Sequence, residues 1–288
     1  MSQRNAAVVK SHGTPVQVIA VTGGKGGVGK TAVAVNLATA LVQRKRRVVL
    51  MDGDLGLANV DVLLGLSPRY TLEHVLSGER QLQEVIVTTE SGLKVVPSAS
   101  GVARMAALSP AEHAAIIRAF STLPESIDTM VIDTAPGLAD SGLRFCAAAQ
   151  QVITVLRDEP ASLTDAYAVI KVLSREHGVR RFPVLVNMSR SPEQAVELFR
   201  RLQRVTDRYL EVALEFAGQI PQDAAVGKAV RAQRTVVESH PASEAAKSFK
   251  KLAQLTDKWP MPPGPSGRIE FFLERLLARP QPRLKVIK

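Results

Sequence analysis

The 288-residue sequence predicts a doubly wound α/β fold, a mostly parallel sheet with helices on both faces. Three observations carry that expectation. Short β-branched runs alternate with longer amphipathic or Ala-rich stretches. Several of those runs are apolar at successive positions, as strands covered on both faces require. A glycine-rich turn after the first run opens directly into a helical stretch. Aromatic residues make up 4%, so the core rests on Val, Leu, Ile and Ala.

Taken in order, VQVIAVT (16–22), RVVLMD (47–52), LKVVPS (93–98), IDTMVID (127–133), QVITVLR (151–157) and FPVLVNM (182–188) read as strands. Residues 30–44, 109–121, 161–176 and 191–208 read as helices between them. Ser109-Pro110 and Ser191-Pro192 are an N-cap followed by proline at the first helical position, where its missing N–H costs nothing. WPMPPGPSG (259–267) reads as a linker. The expected organisation is a flexible segment 1–14, an α/β domain 15–258, the linker 259–267, and an amphipathic helix with a basic tail, 268–288.

The formal charge is +10, unevenly spread. Residues 1–170 hold 15 basic and 15 acidic side chains, and residues 171–288 hold 22 and 12. The excess therefore belongs to the later helices and the tail, where a nucleic acid, an anionic membrane face or an acidic partner would be met. One cysteine, Cys146, excludes an internal disulfide framework and a cysteine zinc site or four-cysteine cluster supplied by one chain. The five histidines show no metal spacing. The N-terminus lacks a signal-peptide apolar region and no run is long enough for a membrane span, so a cytoplasmic location is expected.

The most informative segment is VIAVTGGKGGVGKTAVAVNLATAL. Gly24, Lys25, Gly26, Gly27, Val28, Gly29, Lys30 and Thr31 fit G-x-x-x-x-G-K-[ST], placed between a strand and a helix as that motif requires. Successive backbone N–H groups and the helix start at Ala32 make an anion cradle. Lys30 is expected to reach the β- and γ-phosphates of a nucleotide and Thr31 to ligate Mg²⁺. Asp52 and Asp54 close the next strand, where α/β sheets place their ligands. Asp133 closes IDTMVID and reads as a second Mg²⁺ carboxylate, with helix capping as the alternative. Gly137 in the DTAPG run permits close backbone approach. Asp158, Glu159 and Asp165 gather at another strand end, as a site feature or a solvated helix start.

The spelling KGGVGKT, with Lys25 added, resembles the deviant phosphate loop of the MinD/ParA class of ATPases. The resemblance implies that two subunits sandwich two ATP molecules and that Lys25 crosses to the partner's nucleotide, the alternative being a solvated loop lysine. It implies that Asp54 orients the attacking water and reaches Mg²⁺ through water. It also implies that Asn187, Pro221 and Asp223 hold adenine, although without the resemblance turn roles are the favoured reading of Asn187 and Asp223.

GRIEFFLERLLARPQPRLKVIK follows the linker. Ile269, Phe272, Leu273, Leu276 and Leu277 fall at i, i+3, i+4, i+7 and i+8, one helical face. Such a face suits an anionic bilayer surface or a seat on the protein itself. The class resemblance favours the membrane, with the helix docked without ATP and released in the ATP dimer.

HGTPVQVIAVTGGKGGVGKT, GLANVDVLLGL, TDAYAVIK and EFFLERL together are similar to the flagellar-number regulators of the FleN/FlhG group, from about residue 13 to 278. That similarity implies an ATPase switch of slow turnover, a flagellar transcription activator and a flagellar SRP-type GTPase as partners, and reversible attachment to the inner membrane face. Residues 1–12 hold no DQA-x-GLR-type string, so the similarity does not extend to GTPase stimulation by the N-terminus. The alternatives are a DNA-partition ATPase, a division-site ATPase and a non-catalytic anti-activator for which ATP is a conformational ligand.

Overall fold

The computed structural model describes residues 15–123, 127–261 and 268–277. From the N-terminus, β1 (Gln17–Thr22), α1 (Lys30–Gln43) and β2 (Val48–Gly53) are followed by short helices α2 (Val60–Leu64), α3 (Leu72–Leu76) and α4 (Leu82–Val85). Strands β3 (Val87–Thr88) and β4 (Lys94–Val96) lead to α5 (Ala103–Ala106) and α6 (Pro110–Ser121). The order continues as β5 (Thr129–Thr134), α7 (Asp140–Ala148), β6 (Gln151–Leu156), α8 (Pro160–Arg175), β7 (Arg181–Ser189), α9 (Pro192–Tyr209) and β8 (Ala213–Pro221). It ends with α10 (Ala224–Arg231), α11 (Val236–Ser239), α12 (Glu244–Thr256) and α13 (Leu273–Leu277).

The eight strands form one sheet in the order β3-β4-β2-β5-β1-β6-β7-β8, parallel except for the β3–β4 pair. Strand side chains alternate between two cores. Val16, Val18 and Ala20 face a layer built from α6, α7, α8 and α9, and Ile19 and Val21 face a layer with α1, α11 and α12. The six strands read from sequence are all present. The pattern missed β3 and β8, both at sheet edges, where one flank lacks a neighbour and Glu215 and Gly218 interrupt the apolar run. Ser109 and Ser191 cap as expected, accepting from the N–H groups of Glu112 and Gln194 at 3.2 Å each.

Beyond α12 the chain passes Trp259, which is buried, and Gln151 Nε2 donates to the Pro260 carbonyl at 3.3 Å. The expected face of Ile269, Phe272 and Leu273 does not form as one helical stripe. The helix starts only at Leu273, and Phe272 takes a left-handed φ of 54°. Ile269 is exposed, while Phe271 and Phe272 are fully buried. Phe120 meets both rings edge-on, at 5.3 and 6.3 Å, and Phe145 packs on Phe271 at 6.2 Å. The physical reason is the aromatic slot between α6 and α7, which takes two consecutive rings from an irregular turn and so overrides helical periodicity. Arg275 Nη2 fixes the end by donating to the Leu123 carbonyl at 3.2 Å. The expectations for residues 1–14, most of the linker, the tail beyond Leu277, and the side chains of Leu276 and Leu277 lie outside the described residues.

Candidate functional site

In a parallel sheet all carboxyl ends share one edge, and here β1, β2 and β5 bring the phosphate loop, Asp54 and Asp133 together. Glycine is required in the loop for conformation: Gly27 and Gly29 take φ of 80° and 90°. A Cβ at Gly26 or Gly27 would meet open space, so the exposed arc of the loop stands open to a ligand. α1 begins at Lys30, and no side chain caps its first N–H groups. Those donors are the natural seat for an anion.

Lys30 is 7% exposed, and its Nζ donates to the Lys25 carbonyl at 3.3 Å, folding the side chain back across the loop. Burial lowers its pKa, and Asp133 and Asp54 oppose that shift and hold the ammonium form. The Thr31 side chain acts against the burial of the Asp133 carboxyl, lowering its pKa from what burial alone would give. Asp133 Oδ1 is buried without a hydrogen-bond partner among the described residues. Burial pushes the Asp133 pKa up to about 7. A hydroxyl, an unsatisfied carboxylate oxygen and a second carboxylate are oxygen donors of the kind a hard divalent cation takes, so Thr31, Asp133 and Asp54 suit Mg²⁺ by chemistry. Asp54 is partly buried, and burial raises its pKa.

Asp52 has a different task. Its Oδ1 accepts from Asp54 N at 3.1 Å, and its Oδ2 from Asn59 N and Val60 N at 3.0 Å each. The carboxylate thus ties down the loop that carries Asp54 and the first turn of α2. Burial and the facing Asp133 push its pKa well up. Opposite, Gly137 N donates to the Gly23 carbonyl at 3.0 Å, so the DTAPG loop rests on the phosphate loop.

Lys25 forms an ion pair with Glu159 of its own chain, and Glu159 also meets Arg157 at 3.0 Å. Sequence reasoning grouped Glu159 with two other acids and missed this pairing, because the partners are 134 residues apart and only the β1–β6 register joins them. Asp158 accepts from Gln194 Nε2 at 2.7 Å instead. Gly24 packs so closely on the start of α8 that a Cβ would lie 2.2 Å from the Asp165 backbone.

The residues expected around adenine divide. Asp223 is occupied as a double cap: Oδ1 accepts from Ala225 N at 2.8 Å and Oδ2 from Ala245 N at 3.1 Å, joining the starts of α10 and α12. These contacts make it a helix-start cap, a role beside the adenine and turn readings that the sequence left open. Pro221 ends β8 beside it. Asn187 is buried against the phosphate loop, with Nδ2 donating to the Val28 carbonyl at 2.8 Å. Another residue that sequence reasoning missed is Asn36. Its Oδ1 accepts from Val236 N and Val237 N at 2.9 and 3.3 Å and fixes α11 to the phosphate-loop helix. A polar residue at an inward position of a helix is the signal that would have found it.

The ParA family model described as NUBPL iron-transfer P-loop NTPase matches residues 15–256. The antiactivator FleN of Pseudomonas aeruginosa is 54% identical over 266 residues, covering 92% of this chain and 95% of that protein. The flagellum site-determining protein YlxH of Helicobacter pylori is 32% identical over 238 residues, 82% of this chain and 80% of that one. Among solved structures, the septum site-determining protein MinD of Pyrococcus horikoshii complexed with Mg-ADP superposes with a TM-score of 0.70 at 27% identity, covering 85% of this chain and 97% of that one.

Proposed function

The chain belongs to the MinD/ParA family of P-loop ATPases, in its FleN/FlhG group, and from that premise we propose how its residues run an ATP switch. It is a MinD-like ATPase of flagellar-number regulation, with ATP and Mg²⁺ as its ligands. The observation that carries the chemistry is the buried, unpartnered Asp133 Oδ1 at the strand end beside the phosphate loop, with the buried Lys30 feeling the charge of Asp133 and Asp54. Mg²⁺ held there would supply positive charge to the phosphates. Thr31 and Asp133 hold the metal, Lys30 and the loop N–H groups hold the phosphates, and Asp54 orients the attacking water. In the ATP-bound homodimer Lys25 leaves Glu159 and reaches the partner's nucleotide. The iron-transfer wording of the family model finds little support in this chain. Its one cysteine is fully buried, and burial pushes the thiol up to about 12, so it offers no thiolate to a cluster.

The seated Phe271 and Phe272 support a second stage. We propose that the ATP dimer releases this segment toward an anionic membrane face, and that the flagellar transcription activator and the flagellar SRP-type GTPase are the partners that read the switch. No described helix is long and apolar enough to cross a membrane, so attachment would lie in the interface. The deciding experiment is sedimentation with anionic liposomes, with and without ATP, for the full chain and a chain ending at Gly267. ATP-dependent sedimentation of the full chain alone is expected; equal sedimentation of both removes the anchor. In parallel, Lys30→Ala is expected to abolish ATP-driven dimerisation, and dimerisation like the wild type's would sink the switch.

A second reading has its own observation. Lys228, Arg231, Arg234, Lys247 and Lys251 are exposed on and around α10 and α12, on the sheet face away from the C-terminal segment. This basic face favours a polyanion, and a DNA-partition role would appear as steeply salt-dependent, ATP-gated binding to duplexes of any sequence.

A further inference from the structure

Asn187 sits where β7 loses its regularity. Pairing with β8 shifts between Asn187 and Ser189, and Met188 between them takes a φ of 55°. A methionine holds that left-handed conformation only where its surroundings impose it, and such strain gathers at functional sites. The irregularity brings the Asn187 amide against the phosphate loop. Nδ2 donates to the Val28 carbonyl at 2.8 Å, and Oδ1 accepts from Met188 N at 3.0 Å. The fit leaves no slack, since a Cβ on Gly29 would stand 2.3 Å from Nδ2 and 3.5 Å from the Met188 Cε.

A trans peptide points its C=O and its N–H in opposite directions. Holding the Val28 carbonyl toward Asn187 therefore turns the Gly29 N–H the other way, and Gly29 is the residue that caps α1 at a φ of 90°. We propose that Asn187 is a positioning residue for the phosphate loop: it sets the Val28–Gly29 peptide so that the Gly29 N–H is presented to the nucleotide phosphates. This rests on the ATP-binding reading above and deepens it. The amide keeps one N–H and one lone pair beyond these two bonds, enough to meet the edge of a base. Its contribution to phosphate binding does not depend on a base being present.

The test uses a ligand without a base. Inorganic tripolyphosphate with Mg²⁺, and separately ATP with Mg²⁺, are titrated calorimetrically into the full chain, into Asn187→Ala and into Asn187→Asp, whose carboxylate has no N–H to give and opposes the Val28 carbonyl. Loss of one buried hydrogen bond predicts about a tenfold weaker tripolyphosphate affinity in Asn187→Ala, at least as much in Asn187→Asp, and an ATP affinity reduced by no less. Tripolyphosphate binding within twofold of wild type, with ATP weakened, would mean a base contact alone and overturn the proposal. A lower thermal midpoint with both affinities unchanged would reduce the residue to ordinary stability and overturn it too. Should Asn187→Ala not fold, Asn187→Ser is read against the same thresholds. Lys30→Ala is the control for the underlying reading: if it binds tripolyphosphate and ATP normally, the phosphate loop itself is misassigned, whatever Asn187 does.

Discussion

At the carboxyl ends of β1, β2 and β5, burial falls on charge: Lys30, Asp52 and Asp133 are 7% exposed or less. Around Phe271 and Phe272 it falls on carbon, with Phe120 and Phe145 closing the slot and His113 edge-on to Phe145. Charge buried this way costs several kcal/mol unless a counter-ion or metal arrives, whereas two buried phenyl rings contribute about 2–3 kcal/mol each as they stand. One region is therefore incomplete until a ligand enters, and the other is complete until a competitor displaces its occupant. A switch needs both kinds, because the energy that ligand binding releases at the first is what would unseat the second.

Four changes sharpen or break this contrast. Asp54→Ala is expected to lower ATP hydrolysis by about 100-fold or more while ATP still binds and dimers persist, since only the water-orienting carboxylate is lost; single-turnover assays that show retained hydrolysis would remove its assigned role. Phe271→Ala or Phe272→Ala should cost the ligand-free chain about 3–4 kcal/mol in urea unfolding, the usual consequence of emptying a buried aromatic site. A loss under about 1 kcal/mol would mean the seat is not part of the stable fold.

The last two concern pH, and the signs are opposite. Asp133 stays protonated in the folded chain up to about 7, while the unfolded carboxyl ionises near 3.8. Folding stability is lost as pH rises between those values and levels off above them. Asp133→Asn should therefore stabilise the ligand-free chain by on the order of 2 kcal/mol at pH 8 and leave it unchanged at pH 3, as thermal melts across that range would register. His113 has its pKa lowered from 6.5 by burial, against the opposing pull of the Ser109 carbonyl, Asp140 and Glu112. Below that pH the unfolded imidazole takes up a proton that the folded one refuses, so stability falls as the solution is acidified. His113→Asn, which keeps a donor for the Ser109 carbonyl, should flatten that acid limb below pH 6.5, as thermal melts at falling pH would register. An unchanged limb would mean another group carries it.

Legibility in the sequence followed the range of the forces involved. The phosphate loop was readable because its conformation is set within eight residues, by glycines at Gly27 and Gly29 and a lysine at a fixed offset. The buried strands were readable because both their faces are apolar. Edge strand β8 was not, since half its environment is solvent. Roles that depend on a distant partner were missed. Asp223 caps two helices, one of them more than twenty residues away, and Asn36 fastens a helix 200 residues on. The C-terminal segment followed the same rule: its heptad-like spacing was real, but the slot between α6 and α7 selected two adjacent phenylalanines instead.

Trp259 gives this architecture a practical property. It is the chain's single tryptophan, buried at the end of α12 where the polypeptide leaves for the C-terminal seat. An indole's emission colour and quenching follow its contact with water. Any movement that exposes Trp259 to water would redden the intrinsic fluorescence, with no dye attached. The indole would thus report optically on the release proposed above, in stopped-flow mixing with nucleotide.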